Sequence, residues 1–359
     1  MDLKPFLKKL ISLPGLSAFE DPVRDVIAEA WRPLVDELTT SRTGSLHGIR
    51  RGTGAEPRPR IVLAAHMDAI GLMVTQVTQD GFLHFTEVGG VDPRILPYTP
   101  VMIHASGMKG ETRSLPGIVV QPPDSLLPAS QKGKPVKMEH LLVDTGLPAG
   151  ETAALVRPGD LISFDTEPVD LEGETLAGHT LDNRASVAAV TACLDELQRV
   201  RHAWDVYAVA TVQEEETLLG AFTSPFGIRP QIAVAIDVTF AKGPGVSGDY
   251  RTFALGKGFT LDWGPNTHPA VFESFKTLAE RLDLPFSVSV YPSHSGTDAM
   301  GMQIVAEGIP TMVISIPLRY MHTPVEVVSY KDIARTGHLL AQYIAGLEPE
   351  FINTLKYEE

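Results

Sequence analysis

The sequence predicts an α/β protein, a helix-flanked sheet whose chain is interrupted by an all-β insertion. Three observations predict it. Residues 1–68 and 171–359 alternate helical periodicity with short apolar runs. Residues 69–170 lose that periodicity and become β-prone pieces separated by Gly and Pro turns. The apolar runs of the outer segments are unbroken, as in strands buried on both faces.

In order along the chain, residues 4–12 and 21–31 have the spacing of amphipathic helices, the second opened by Ser17 or by the Glu20-Asp21-Pro22 stretch. Ile61 to Ala65 is a continuous apolar run and predicts a buried strand. The insertion offers strands at Leu72–Thr78, Phe82–Val88, Val101–His104, Gly117–Val120 and Asp160–Phe164, enough for a small barrel or sandwich. Beyond it the pattern predicts a helix over Arg184–Val200 and strands at Val206–Val212 and Ile232–Ile236. A helix at Pro269–Leu282, strands at Phe286–Val290 and Thr311–Ile316, and a helix at Tyr330–Leu347 complete the alternation.

Composition excludes several function classes. Apolar residues make up 43% of 359, so a sizeable core is available. Thirty basic against 44 acidic residues give a net charge of −14, and phosphate binding needs the opposite sign, so nucleic acid is not an expected partner. Cys193 is the single cysteine, which rules out an internal disulfide and reads as a small buried hydrophobe. No segment reaches the roughly 20 apolar residues of a membrane span, and the N-terminal stretch lacks the apolar core of a secretory signal. A cytoplasmic, non-membrane protein is the expectation.

Chemistry-bearing residues gather where the strands end. Functional groups of open α/β sheets collect beyond the carboxyl ends of the strands. His66 follows the first apolar run, Glu214 and Glu215 follow the next with Gln213 between, and Asp237 follows Ile232–Ile236. His322 lies six residues beyond Ile316, and Asp182 precedes the helix near Arg184. A carboxylate-rich set with two histidines suits two divalent ions sharing a bridging carboxylate. Asp182 suits the bridge, Asp237 is an acid after a wholly apolar strand, and Asp68 can fix the His66 tautomer. Three consecutive carboxylates, Glu214 to Glu216, repel unless a cation or proton compensates. Their division of labour reads as Glu215 ligating and Glu214 carrying the proton, against the alternative of a solvated acidic helix start. Pro324 restricts the loop around His322.

The segments AAHMDAIGLMV, GDLISF, TLDNRAS, VQEEE, AIDVTFA, SGTDA and RYMHTPVEVVS run nearly end to end. In them the chain resembles the TET-type (tetrahedral) dinuclear metallo-aminopeptidases, also called deblocking or glutamyl aminopeptidases. The resemblance implies a three-layer α/β/α zinc-peptidase domain, 1–68 and 171–359, with an inserted PDZ-like β domain, 69–170, that mediates dimerisation. It implies His66 and Asp237 on one ion, Glu215 and His322 on the other, and Asp182 between them. Glu214 would be general base and acid, and Asp68 the support of His66. Further implications are a cis peptide at Asp182–Asn183, peptide substrates, and homodimers that build a dodecamer. Zinc is the expected metal, with cobalt or manganese as alternatives.

The chain departs from the family pattern where the double glutamate continues as Glu216-Thr217-Leu218-Leu219-Gly220, without the usual arginine. His179 replaces a usual lysine, and His294 precedes the SGTDA segment. These departures bear on pocket shape and substrate preference. Two rival activities remain at this level: deacylation of another amide on the same metals, and an endoglucanase-type glycoside hydrolase. The adjacency of Glu214 and Glu215 is a poor arrangement for flanking one glycosidic bond. Pocket loops are expected around 256–268 and 291–299, with His268 and His294 as candidates to face substrate.

Overall fold

In the computed structural model, residues 2–106, 113–123, 125–127, 129, 132–246 and 252–356 are described. The chain divides into two compact units. The first comprises Met1–Asp68, Pro168–Met321 and Glu326–Glu359; the second comprises Ala69–Glu167 with His322–Val325.

The first unit is built on an eleven-stranded mixed sheet among the described residues. Its centre is four parallel strands in the order Asp205–Thr211, Arg60–His66, Ile232–Phe240, Thr311–Arg319. Nearly every residue of these strands is buried, which is why they read as unbroken apolar runs. Alternation sorts them by face. Ile61, Leu63, Val206, Ala208, Val234, Ile236 and Ile314 pack against helices Leu181–Leu197 and Tyr330–Gly346. Val62, Ala64, Val209, Ala235 and Val313 pack with Ala221, Ala299 and Met302 of helices Leu219–Ile228 and Asp298–Gln303. Helices therefore cover both faces, and the three-layer α/β/α arrangement follows.

The first helix covers Leu3–Ile11 and the second Asp21–Trp31, with Glu20 rather than Ser17 at the N-cap position and Pro22 in the first turn. Leu181–Leu197 and Tyr330–Gly346 approach closely at Gly337: a Cβ there would lie 2.7 Å from the Ala189 carbonyl oxygen and 2.7 Å from the Ala192 Cβ.

Several elements escape the sequence pattern. The hairpin Glu37–Thr40 with Leu46–Arg50 extends the sheet on one side, and its first strand is mostly exposed, leaving little apolar signal. Helix Leu219–Ile228 contains Gly220, Pro225 and Gly227, residues that argue against a helix locally. Strand Phe259–Trp263 pairs Thr311–Arg319 antiparallel and Phe286–Val290 in parallel, and was hidden in an expected loop.

The second unit is a closed six-stranded barrel with the strand order Gly71–Val77, Leu83–Val88, Leu142–Asp144, Arg113–Val120, Pro100–Ala105, Leu161–Phe164. Leu72, Val74, Val101, Ile103, Val119, Val143 and Ile162 fill its interior, and each strand pairs with a neighbour on both sides. The α-helix Ala149–Leu155 and the short 3-10 turns Pro93–Ile95 and Met138–His140 interrupt the β texture among the described residues.

Candidate metal centre

Four segments of the first unit deliver the cluster. His66 is the last residue of its strand and pairs in register with Thr211. Asp237 lies inside, not after, its strand, which runs on to Phe240. Both side chains belong to the face that carries Ala64 and Ala235. Glu214 and Glu215 open a short helix after Gln213, whose φ of 56° turns the chain sharply at the strand end. Asp182 stands at the start of Leu181–Leu197, where it and Asn183 have non-helical backbone and are joined by a cis peptide bond. Side chains tie this helix start to the neighbouring strand: Asn183 Nδ2 donates to the Ile236 carbonyl at 2.9 Å, and Ser186 Oγ to that of Asp237 at 3.1 Å.

The carboxylates converge on one ring nitrogen. His66 Nε2 lies 3.2 Å from Asp182 Oδ1, 3.7 Å from Glu214 Oε2 and 3.9 Å from Asp237 Oδ1. Two donor sets have ligand atoms mutually within 4.8 Å: His66, Glu214 and Asp237, and His66, Asp182 and Glu215. Such spacing suits ligands arranged about ions at roughly 2.0–2.2 Å each. Glu214, read from the sequence as the proton carrier, thus stands with one of the two sets. His322 is in neither set; it clusters with the barrel unit, where its Nδ1 lies 3.0 Å from the Gly90 carbonyl oxygen.

Electrostatics make the cluster costly without compensation. Burial pushes Glu214 well above the usual carboxylate range, and the charges of Asp237, Asp298 and Glu215 push it further, against the pull of His66. Asp237 is raised for the same first reason, then by Asp182 and Asp298. Burial lowers the affinity of His66 for a proton, but Glu214, Asp182 and Asp68 outweigh it, and the net shift is upward. Buried carboxylates that cannot all be charged at neutral pH demand protons or cations. The imidazole and carboxylate donors fit borderline divalent metals such as zinc, cobalt or manganese.

Around the cluster lies a supporting shell, of which the sequence reading named Asp68 but not Glu20, Arg184, Asp298 or Glu326. Asp68 accepts from the backbone N–H of Glu214 at 3.0 Å and of Glu215 at 3.1 Å. Its Oδ1 is also 3.4 Å from His66 Nδ1, a charge contact more than a formed hydrogen bond, since that nitrogen has no well-aligned partner. Glu326 accepts from the Asp182 N–H at 3.1 Å. Glu20 Oε1 accepts from Ala18 N at 2.8 Å and Gln213 N at 3.1 Å, fixing the turn before Glu214. Asp298 accepts from Thr211 Oγ1 at 2.5 Å, and burial first of all raises it to about 6. Arg184 is fully buried, donating to the Leu10 and Leu13 carbonyls at 2.6 and 2.7 Å, and feels the charges of Asp68, Glu326 and Glu20. Of the other histidines, His179 and His268 are buried and His294 is exposed.

The model of the M42 glutamyl aminopeptidase family matches residues 44–339. The chain belongs to that family. It is therefore a peptide hydrolase. This M42 chain is 34% identical over 346 residues to a lysyl aminopeptidase of Pyrococcus furiosus, covering 96% of its own length and 97% of the relative's. It superposes with a TM-score of 0.91 at 28% identity on a TET aminopeptidase from the marine sediment archaeon Thaumarchaeota archaeon SCGC AB-539-E09, over 99% of both chains. The TET1 peptidase of Pyrococcus horikoshii, described as assembling into a tetrahedron or a large octahedral shell, matches with a TM-score of 0.81 and 28% identity over 96% of this chain and all of the other. Among the described residues, no helix is long and apolar enough to cross a membrane.

Proposed function

We propose that this M42 peptidase removes residues from the free N-terminus of peptides at a dinuclear metal centre. The observation that carries the reading is the convergence of buried carboxylates on His66 Nε2, a charge arrangement that two divalent cations would satisfy. His66, Asp182, Glu215 and Asp237 are the residues that would hold the ions; His322 is assigned by its motif RYMHTPVEV and not by the geometry. Zinc is the proposed metal, and cobalt and manganese suit the same donors. When bound, the cations supply Lewis acidity toward the scissile carbonyl and acidify the attacking water.

The chain's own residues do the rest. Glu214 accepts the proton of the attacking water and returns it to the leaving amine, and its burial raises its affinity for that proton. Asp68 holds the Glu214 and Glu215 backbone at fixed distance from His66. Self-assembly into homo-oligomers is proposed on the likeness to the assembling TET1 peptidase.

The test measures release from aminoacyl p-nitroanilides together with metal content. Two ions per chain and full loss of activity on chelation are expected for the wild type. Glu214→Gln should keep both ions and lose about 10²–10⁴-fold in kcat. Unchanged turnover in that variant removes Glu214 from the chemistry, and release that favours N-acylated peptides makes the enzyme a deacylase.

A further inference from the structure

Arg184 is a buried cation that the proposed mechanism does not use. It lies near the start of helix Leu181–Leu197, two residues after Asp182, and is 0% exposed. Among the described residues, its guanidinium bonds to backbone carbonyls and not to carboxylates. Nη1 donates to Leu10 at 2.6 Å and to Leu13 at 2.7 Å, Nη2 to Gly15 at 3.4 Å, and Nε to Met67 at 3.3 Å. A charge taken out of water is expensive, and apolar residues of similar volume often replace one without loss of stability. Stability alone therefore does not account for an arginine at this place.

The four carbonyls belong to two separate segments. Leu10 stands in the last turn of helix Leu3–Ile11, and Leu13 and Gly15 follow it. The last carbonyls of a helix lack partners within it, and a cation suits that end. Phe6, Leu7, Leu10 and Ile11 seat this helix in the core. Met67 stands between His66, on whose Nε2 the carboxylates converge, and Asp68, which holds the Glu214 and Glu215 N–H groups. The Met67 N–H donates to the Thr211 carbonyl at 3.0 Å, so both of its peptide groups are held. The planar fork of arginine reaches both segments at once, which the single ammonium of lysine does not. Asp68, Glu326 and Glu20, whose carboxylates anchor the cluster backbone, all feel its charge. Gly15 leaves room for the guanidinium: a Cβ there would lie 2.7 Å from Arg184 Nη2 and 3.1 Å from Val23 Cγ1.

We infer that Arg184 is a positioning residue for the metal centre, fixing the His66–Asp68 segment against the helix start that carries Asp182, with the N-terminal segment 10–15 as its seat. The inference rests on the dinuclear reading of the cluster. Ligands must be held within about 0.5 Å of their productive geometry, and Arg184 bonds directly to the peptide group that joins Met67 to Asp68. Coupling between sites is reciprocal, so whatever the docked N-terminal segment lends to metal binding, bound metal returns to its docking.

The experiment measures zinc affinity by competition with a chromogenic chelator, together with the thermal midpoint of each metal-free protein. Arg184→Lys keeps the charge and loses the fork, and Gly15→Ala disturbs the seat while leaving Arg184 in place. Gly337→Ala strains the same helix at Ala189, about two turns from Asp182, and is the control for lost stability. Arg184→Lys should lose about 10–100-fold in zinc affinity and Gly15→Ala about tenfold, while Gly337→Ala lowers the midpoint and keeps wild-type affinity. Wild-type affinity in Arg184→Lys, or in Gly15→Ala where the lysine variant does not fold, overturns the proposal. Affinity losses that follow the midpoints in all three variants also overturn it, because they mark a structural role. In the wild type, zinc should slow amide hydrogen exchange over residues 10–19; exchange there unchanged by zinc overturns the coupling whether or not any variant folds. Wild-type protein that binds no zinc overturns the dinuclear reading itself, a failure distinct from equal affinities.

Discussion

Asp68→Asn isolates the role of the carboxylate beneath the cluster. Asp68 uses both oxygens on backbone donors, Glu214 N at 3.0 Å and Glu215 N at 3.1 Å, and is itself fully buried. Asparagine keeps one acceptor and turns an amide N–H₂ toward the other donor. One charge-assisted hydrogen bond is lost, about 1.5–3 kcal/mol. If that loss falls on the placement of Glu214 in the transition state, it corresponds to roughly 10–150-fold in kcat/KM at 1.4 kcal/mol per tenfold. The range agrees with the roughly 10–100-fold usual for residues that support metal ligands. The assay is steady-state release of p-nitroaniline, with metal content and thermal midpoint measured on the same preparations. A variant with wild-type kcat/KM and full metal occupancy would refute the positioning role of Asp68.

Two other perturbations test the shell and the core. Glu20 is held by burial, then by the charge of Asp68, at a pKa of about 7 against an ordinary 4.5. The folded state therefore binds more protons than the unfolded one between those values, and stability falls as pH rises through that window. Glu20→Gln keeps the acceptor for Ala18 and Gln213 without the charge, so it should gain about 1–3 kcal/mol over wild type at pH 8 and much less at pH 5. An equal effect at both pH values, read from thermal midpoints, contradicts the shift. Gly337→Ala places a methyl 2.7 Å from the Ala189 carbonyl oxygen and should cost about 1–3 kcal/mol, seen as a lower denaturation midpoint; a midpoint at or above wild type shows that the two helices can part freely.

Much of the candidate site could be proposed locally because the ends of apolar runs advertise themselves. His66 and Asp237 each directly follow an unbroken apolar run, and Glu214 and Glu215 follow another with Gln213 between, a pattern with few cheap explanations. The supporting residues carry no such local mark. Glu20 sits at a helix start and Glu326 in a short strand, and either could as well be a cap or a surface acid. Strand Phe259–Trp263 lay within a segment read as a loop, because its five residues are flanked by glycines. Helix Leu219–Ile228 was hidden for the opposite reason, its glycines and proline being tolerated only because neighbouring packing holds them.

By itself the amino-acid order determined the α/β class, the β insertion and the identity of the residues able to ligate a cation, because alternation, apolar runs and carboxylate clusters are properties of adjacent positions. Only the folded chain decided which of these residues meet. Asp182 N reaches Glu326 across 144 positions, and Glu20 meets Gln213 across 193. Such pairings are set by strand register and helix packing, and these depend on the whole sheet closing at once rather than on any stretch of neighbours.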